Sequence, residues 1–282
     1  AAAIIYSLPV FAQDSVPQAA AADEGAAIIV TGTRASGVTA AESSAPIKVI
    51  DSAALEKVGQ PNLNQVLTQL VPSFTAQAFG GDTANLTLSA RLRGLSPNHA
   101  LILVNGKRRH GTSNLHVLSG PYQGGAAPDL DMIPPGSIAR IEVLEDGAAA
   151  QYGSDAIAGV INIILKNDKD VISGNLTAGQ YYKGDGTTYS GSVTFAPDVG
   201  PDSYLDVTMF HRFHGFSQRG GVDRGIYNRD GSISTGMSAA HQAMAAIGLP
   251  GAPDTNRIVG DARSTLTTIM YNAGHDFGGV EL

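Results

Sequence analysis

The chain has 282 residues, a formal net charge of -7 and no cysteine. The acidic balance argues against a general nucleic-acid binder, because such proteins neutralise phosphates with lysine and arginine. The lack of cysteine excludes a disulfide framework, a thiolate metal site and a cysteine nucleophile. No run reaches the roughly 18 uninterrupted apolar residues of a membrane-spanning helix, so a β-barrel is the only transmembrane option.

The first residues predict an exported protein. Ala1 to Leu8 is apolar, and Val10-Phe11-Ala12 before Gln13 has the small-residue character of a cleavage site. We interpret residues 1–12 as the remnant of a signal peptide, with a buried strand as the alternative. An initiator methionine and a basic start are missing, so we expect the natural chain to begin earlier.

Residues 13–45 are predicted to be a linker that contains one short β-prone island. Residues 13–27 are poor in bulky apolar side chains, which favours disorder. The island cannot bury itself and needs a sheet edge supplied by something else. The alternative is an ordinary first strand of the next domain. The island consists of Ile28, Ile29, Val30, Thr31, Gly32 and Thr33.

From Pro46 the pattern predicts a globular domain that begins with a strand at 47–50. Asp51 can cap a helix that Gly59 ends, and Asn62 can cap a second helix. The apolar residues of the second helix recur at helical spacing, and we interpret them as core packing. They are Leu63, Val66, Leu67 and Leu70.

Two later stretches predict further strands of this domain. Residues 87–94 alternate apolar and polar residues, and residues 101–109 hold a hairpin with Asn105-Gly106 at its turn. A long Gly-rich loop follows between His110 and Pro128, and loops of that length are usually functional or mobile.

Residues 133–166, IPPGSIARIEVLEDGAAAQYGSDAIAGVINIILK, carry the most specific pattern in the chain. They predict a strand at 138–144, a loop of small residues that closes on Tyr152-Gly153, and an apolar strand at 160–165. The loop is nearly all Gly, Ala, Ser and Asp, so its backbone can fold tightly.

From Ile172 the apolar period changes to two. Four runs, each about ten residues long, place apolar residues on one face and polar residues on the other, as transmembrane barrel strands do. A soluble sandwich alternates in the same way, but 11 of the 17 Phe and Tyr residues lie in 172–282, as aromatic girdles require. The second connection is short and the third is long, which suits inner turns and outer loops. The runs are 172–179, 188–195, 205–212 and 264–274.

Residues 133–166 closely resemble the end of the plug domain of TonB-dependent outer-membrane receptors. Residues 89–94 and 101–109 resemble two earlier plug motifs, the second of which usually has Asp-Gly where this chain has Asn105-Gly106. The resemblance covers residues 28–282. It implies an α+β plug domain at 46–171, with a small mixed sheet and short helices, followed by antiparallel transmembrane β-barrel strands at 172–282. Plugged barrels need about 22 strands, so the barrel is incomplete and the sequence is a fragment.

The resemblance also implies a function. Such receptors actively import a scarce nutrient, such as an iron–siderophore complex, across the outer membrane of Gram-negative bacteria. Residues 28–33 would be the TonB box, which pairs as an added strand with TonB, itself driven by inner-membrane motor proteins. Outer-membrane lipid and a small-molecule or oligomeric nutrient are the other implied partners, and the plug and the box are accessible from the periplasm. No nucleic acid and no cofactor are expected.

Candidate site residues follow from the same resemblance. Enclosed charges need partners, and in the family the matching plug charges pair with the barrel wall. We carry that role over to Arg93, Arg140 and Glu142, with solvated strand charges as the alternative. The family often has Arg-Gly-Pro at 145–147, where this chain has Glu-Asp-Gly, so nothing is inferred for Glu145. Substrate contacts are expected at the plug apex and outer loops, with Gly81, Asp82, His110, Tyr122 and Gln123 as candidates.

No catalytic or metal-binding constellation stands out in the sequence, so we expect neither an enzyme nor a metal site. His110 and His116 share a loop without a carboxylate pattern, and Gly147 to Gly153 lacks the lysine of a phosphate-binding loop. One alternative function is a signalling receptor of the same fold, which the short segment between Gln13 and Ile28 disfavours. The other is a soluble secreted β-rich enzyme, which would need an acid–base cluster.

Overall fold

A computed structural model describes residues 4–9, 47–60, 62–76, 87–117, 123–145, 148–220, 229–230, 246–247 and 260–278. The predicted TonB box (28–33) lies outside these ranges, as do the candidates Gly81, Asp82 and Tyr122. Within the described ranges, no helix has the length and apolar character needed to cross a membrane.

The first half of the globular region forms as the capping pattern predicts. Strand β2 (Ile47–Asp51) leads into α1 (Ser52–Lys57), and the Asp51 carboxylate accepts a hydrogen bond from the Ala54 N–H at 2.7 Å. Asn62 caps α2 (Leu63–Leu70) in the same way through the Gln65 N–H at 2.8 Å. Both predicted caps are therefore confirmed, because each satisfies an N–H that the first helical turn leaves without a partner.

A mixed five-stranded sheet carries the core of this region. Its order is β2, β7 (Ile138–Leu144), β8 (Gly159–Leu165), β5 (Ala100–Val104) and β6 (Lys107–Arg108). β5 and β8 run parallel, and the other neighbours are antiparallel. The helices pack on one face, where each fully buried side chain contributes roughly 1.5–3 kcal/mol. The largest of these buried side chains include Leu63, Leu67, Phe74, Leu92, Ile133, Ile138, Ile141 and Ile161.

Three local elements differ from the sequence predictions. The predicted loop before β8 contains α3 (Ala148–Tyr152) and a 3-10 turn at Ser154–Ala156, because its alanine run favours helix. The strand predicted at 87–94 is only β4 (Ala90–Leu92), since the chain turns with positive φ at Arg93 and Gly94. β3 (Phe74–Ala76), which pairs with β4, was not predicted.

The four predicted barrel strands form a second sheet and are confirmed. They are β9 (Val171–Gln180), β10 (Thr188–Ala196), β11 (Ser203–His214) and β12 (Ser264–His275), all antiparallel. The sheet is open, and its other edge is β1 (Ile4–Pro9), which pairs with β9. A strand in the first residues was the alternative to the signal peptide, and the signal-peptide interpretation stays a prediction.

Candidate functional site

Strands β9 to β12, called the wall below, have one apolar and one polar face. The apolar face points away from the rest of the molecule, so Ile172 is 71% exposed and Ile269 is 68% exposed. The polar face lies against described residues of the segment 47–165, called the plug below. The buried polar residues of this wall face are Ser190, Ser192, Thr194, Asp206, Thr208 and Arg212. Apolar residues therefore point outward and polar residues inward, as expected of a strand between lipid and an enclosed polar interior.

The plug meets the wall at the 3-10 turn Pro135–Ser137. The Thr194 hydroxyl donates to the Gly136 carbonyl at 3.3 Å, and the Ser137 hydroxyl lies 3.4 Å from the Met270 sulfur. A Cβ at position 136 would lie 2.6 Å from Ser192 Oγ, so only glycine fits without a shift. The turn is thus closely packed against β10.

A bidentate ion pair joins the plug to β11. Arg212 Nη1 donates to Asp131 Oδ1 at 2.6 Å, and Arg212 Nη2 donates to Asp131 Oδ2. Both side chains are only 9% exposed. A pair buried to this extent is little screened by solvent, and either partner left alone would be an uncompensated buried charge. Asp131 and Arg212 therefore act as a unit.

The ion pair is continuous with the outer loops of the plug. Asp129 accepts hydrogen bonds from the N–H groups of Asp131 at 3.0 Å and Leu88 at 3.3 Å. Burial raises the pKa of Asp129 above its ordinary value, and those N–H groups oppose the rise. Next to Leu88, the Asn114 amide donates to the Thr87 hydroxyl at 2.9 Å. A hydrogen-bonded path thus runs from the 110–117 loop to the wall.

The three charges predicted to pair with the wall have contacts within the plug. Arg140 Nε donates to Glu142 Oε1 at 3.0 Å along β7, and the Glu142 side chain is fully buried. Arg93 Nη1 donates to the Glu145 carbonyl at 2.7 Å. All three residues have further interactions, so their pairing with the wall stays a prediction.

Two of the five substrate-contact candidates are described, and both are exposed. His110 contacts the Gly111 carbonyl at 3.1 Å, and the Gln123 amide donates to the Val117 carbonyl at 2.9 Å. Backbone hydrogen bonds join the two limbs of this loop, including Gly124 N–H to the His116 carbonyl at 2.7 Å. The loop therefore presents His110 and Gln123 on one connected surface patch, although contact with a substrate stays a prediction.

A second polar cluster lies at the end of the wall that carries the long connection. Arg219 makes two hydrogen bonds to Asp185, at 2.5 and 2.7 Å, and its guanidinium lies 5.3 Å from the Tyr181 ring centroid. The Tyr181 hydroxyl donates to Asp261 at 2.7 Å, and His214 Nε2 lies 3.4 Å from the same carboxylate. These contacts join the first turn of the wall to both ends of the long connection.

The pKa values in this cluster follow from those contacts. Burial, followed by the hydrogen bond to Asp261, raises the pKa of Tyr181 to about 12. The hydrogen bond from Arg219 lowers the pKa of Asp185 to about 2 and raises that of Arg219. Asp185 and Arg219 are therefore both charged over the physiological pH range.

The sequence contained part of the signal for these residues. Arg212 falls on the polar face of the third wall strand, so an arginine facing the plug was visible from the alternation. Asp131 carries no comparable signal, because it lies in an irregular segment 81 residues away. The partners of Asp185 and Tyr181 are likewise distant, at separations of 34 and 80 residues.

Comparison with known proteins agrees with this architecture. Residues 39–160 match the family described as TonB-dependent Receptor Plug Domain. The iron-regulated outer membrane virulence protein of Vibrio cholerae is 35% identical over 176 residues, 61% of this chain and 24% of that protein. The rhizobactin receptor of Rhizobium meliloti is 33% identical over 186 residues, 65% of this chain and 22% of that protein.

A solved structure also shows similarity to part of the chain. A variant of the ferric enterobactin receptor from Pseudomonas aeruginosa aligns with 62% of this chain and 26% of that chain, at 22% identity and a TM-score of 0.47.

Residues 39–160 therefore form a plug domain of the TonB-dependent receptor type. The chain is similar to receptors of the outer membrane of Gram-negative bacteria. It spans about a quarter of the length of the curated relatives it matches.

Proposed function

We propose that the complete receptor actively imports an iron–siderophore complex across the outer membrane, driven by TonB. Two observations support the substrate class: one relative is named for iron regulation, and another is a rhizobactin receptor. No chemical conversion is required, since the receptor only has to bind the complex and move it.

The observation that carries this proposal is the polar contact between plug and wall. A plug that had to stay in place permanently would be held best by apolar packing, which is hard to separate in water. Here most of the buried wall residues are polar, and the contacts include hydroxyl groups and the bidentate ion pair between Asp131 and Arg212. The apolar side chains of Ala196 and Phe210 are also buried on this face. Water can replace such contacts one by one, so the interface is suited to closing a path that must open again.

The path from ligand to energy source is also proposed. A ligand at the outer loops would act on the wall contact through Asn114, Asp129 and Asp131. Among the described elements that follow residues 28–33 in the chain, a pull would reach β2 first, and β2 is an edge strand of the plug sheet. Its removal would uncover β7, which holds the buried Glu142. As an edge strand, β2 can leave by breaking its pairing with β7 alone.

The test uses the native full-length receptor in cells without their other iron receptors. Uptake of radiolabelled iron complexed to a panel of siderophores is compared between the wild type and a variant with residues 28–33 replaced by a Gly/Ser segment of equal length. We expect loss of uptake of at least one siderophore with its surface binding retained. Equal uptake in both strains, or uptake of no siderophore by the wild type, would refute the proposal.

A further inference from the structure

Two asparagine amides join the plug hairpin to the wall at the end opposite the long connection. The Asn105 side-chain oxygen accepts the Leu165 N–H at 2.9 Å, and its nitrogen donates to the Asn272 side-chain oxygen at 3.1 Å. The Asn272 nitrogen in turn donates to the Lys166 carbonyl at 2.8 Å. These three bonds connect the β5–β6 turn, β12 and the segment that joins plug to wall.

These three hydrogen bonds are called the relay below, and the donor and the acceptor are fixed at both of its ends. A backbone N–H can only donate, so the group that meets Leu165 must be the oxygen of Asn105. A backbone carbonyl can only accept, so the group that meets Lys166 must be the nitrogen of Asn272. Each amide then has one orientation that satisfies every bond, and the nitrogen of Asn105 faces the oxygen of Asn272.

The backbone conformation at Asn105 is fixed by hydrogen bonds to β8 and its neighbours. Asn105 has φ +49, a left-handed conformation that asparagine and glycine adopt more readily than most residues. Its N–H donates to the Ile163 carbonyl at 2.9 Å, and the neighbouring Gly106 N–H donates to the buried Asn162 side chain at 3.0 Å. The turn is therefore anchored to β8 independently of the contact that the Asn105 side chain makes with the wall.

We propose that Asn105 is a positioning residue that, through Asn272, fixes one end of the plug on the wall as a pivot. Asn272 pairs in register with Asp206, six positions along β11 from Arg212, which corresponds to about 20 Å along the strand. The ionic contact of Asp131 with Arg212 lies at the other end. The plug is thus held by a neutral pair near one end and a charged pair near the other. The role of the pivot in import rests on the proposed function, whereas the contact itself does not.

The direction of the relay gives a specific test, Asn105→Asp. An ionised carboxylate cannot donate, so it opposes the Asn272 oxygen, and rotating the Asn272 amide would oppose the Lys166 carbonyl instead. A protonated carboxyl donates again, so lowering the pH through the ordinary aspartate pKa of about 3.9 restores the pattern. Asn105→Gly is the matched control, because glycine tolerates the same φ and has no side chain to protonate.

The measurement is a spin-label distance in the purified full-length receptor, between cysteines placed at the exposed positions 107 and 199. The native residues of this chain include no cysteine. We expect a narrow distribution in the wild type at pH 7 and pH 3, a broad one in Asn105→Gly at both, and in Asn105→Asp a broad one that narrows at pH 3. Other ionisable side chains near these hydrogen bonds are Lys166, Asp168 and Asp206, and the glycine control carries them unchanged.

The distance measurement tests the pivot, and a separate uptake measurement tests the proposed import. A narrow distribution in either variant at pH 7, or no narrowing of Asn105→Asp at pH 3, would overturn the pivot. Iron–siderophore uptake in cells is measured in parallel, and we expect both variants to lose uptake at neutral pH while surface binding persists. If the wild type takes up no siderophore, the proposed import fails, but the distance result still decides whether Asn105 fixes the plug.

Discussion

Breaking the Asp131–Arg212 pair from one side should loosen the plug far more than removing both charges together. The informative set is Asp131→Asn, Arg212→Met and the double variant Asp131→Leu/Arg212→Met. Asp131→Asn keeps the side-chain shape but leaves the Arg212 guanidinium buried without a counter-charge, since both side chains are only 9% exposed. The double variant removes both charges and places two apolar side chains in contact.

The magnitude follows from the burial of the pair. Removing one partner of a buried ion pair costs about 3–5 kcal/mol, whereas replacing both by apolar groups is often close to neutral. At about 1.4 kcal/mol per factor of ten, the single change raises the open population roughly a hundredfold or more. Arg212→Met leaves the Asp131 carboxylate buried without its ionic partner, so this change should also loosen the plug.

Native-state hydrogen exchange of the full-length receptor measures this population. Amides of residues 129–138 should exchange roughly a hundredfold faster in Asp131→Asn than in the wild type, and the double variant should recover most of the difference. The amides of α1 are the internal control, since the described contacts of that helix are with β2 and β7, and its exchange should not change. Equal exchange in all four proteins would refute the view that this pair holds the plug on the wall.

Three further predictions concern other contacts. Gly136→Ala should displace the turn from β10, because the new Cβ would lie 2.6 Å from Ser192 Oγ, and we expect a loss of about 1–3 kcal/mol in the free energy of unfolding, relieved in part by Ser192→Gly. The contact with Arg219 lowers the pKa of Asp185 to about 2, so the stabilisation from this contact is fully present above pH 4 and is lost as the pH falls towards 2. Hydrogen exchange of residues 181–187 should accelerate only in that window. In Asp185→Asn this acceleration should be absent. Tyr181→Phe should remove one hydrogen bond to Asp261 at a cost of about 1 kcal/mol. In the wild type the ultraviolet titration of Tyr181 should have its midpoint near pH 12, and a tyrosine that ionises near pH 10 would contradict the described contact.

Much of the fold could be predicted because its signals are local. The caps at Asp51 and Asn62 lie next to the helices they start, and the alternation of the wall strands depends on neighbours two positions apart. β3 could not be predicted, because three residues carry no period and the strand exists only through its pairing with β4. The helix α3 was hidden for a different reason, since glycine-flanked alanine is equally compatible with a tight loop.

The site was harder to predict than the fold. A resemblance identified Arg140 and Glu142 as charges that need partners, and the structure pairs them with each other along β7. The pair that joins plug to wall, Asp131 with Arg212, connects an irregular segment to a strand 81 residues later. No spacing rule reports such a contact, because it depends on how the plug sits against β11.

The hydroxyl groups of Ser190, Ser192, Thr194 and Thr208 have a consequence for the wall after the plug moves. An apolar wall surface would be exposed to water at a cost of about 25 cal/mol per Å², and it would tend to bind apolar parts of a passing molecule. Hydroxyl groups instead exchange one partner for a water molecule at little net cost. Under the proposed import, these hydroxyl groups would hydrate readily once uncovered, so a hydrated cargo would meet a mostly polar surface.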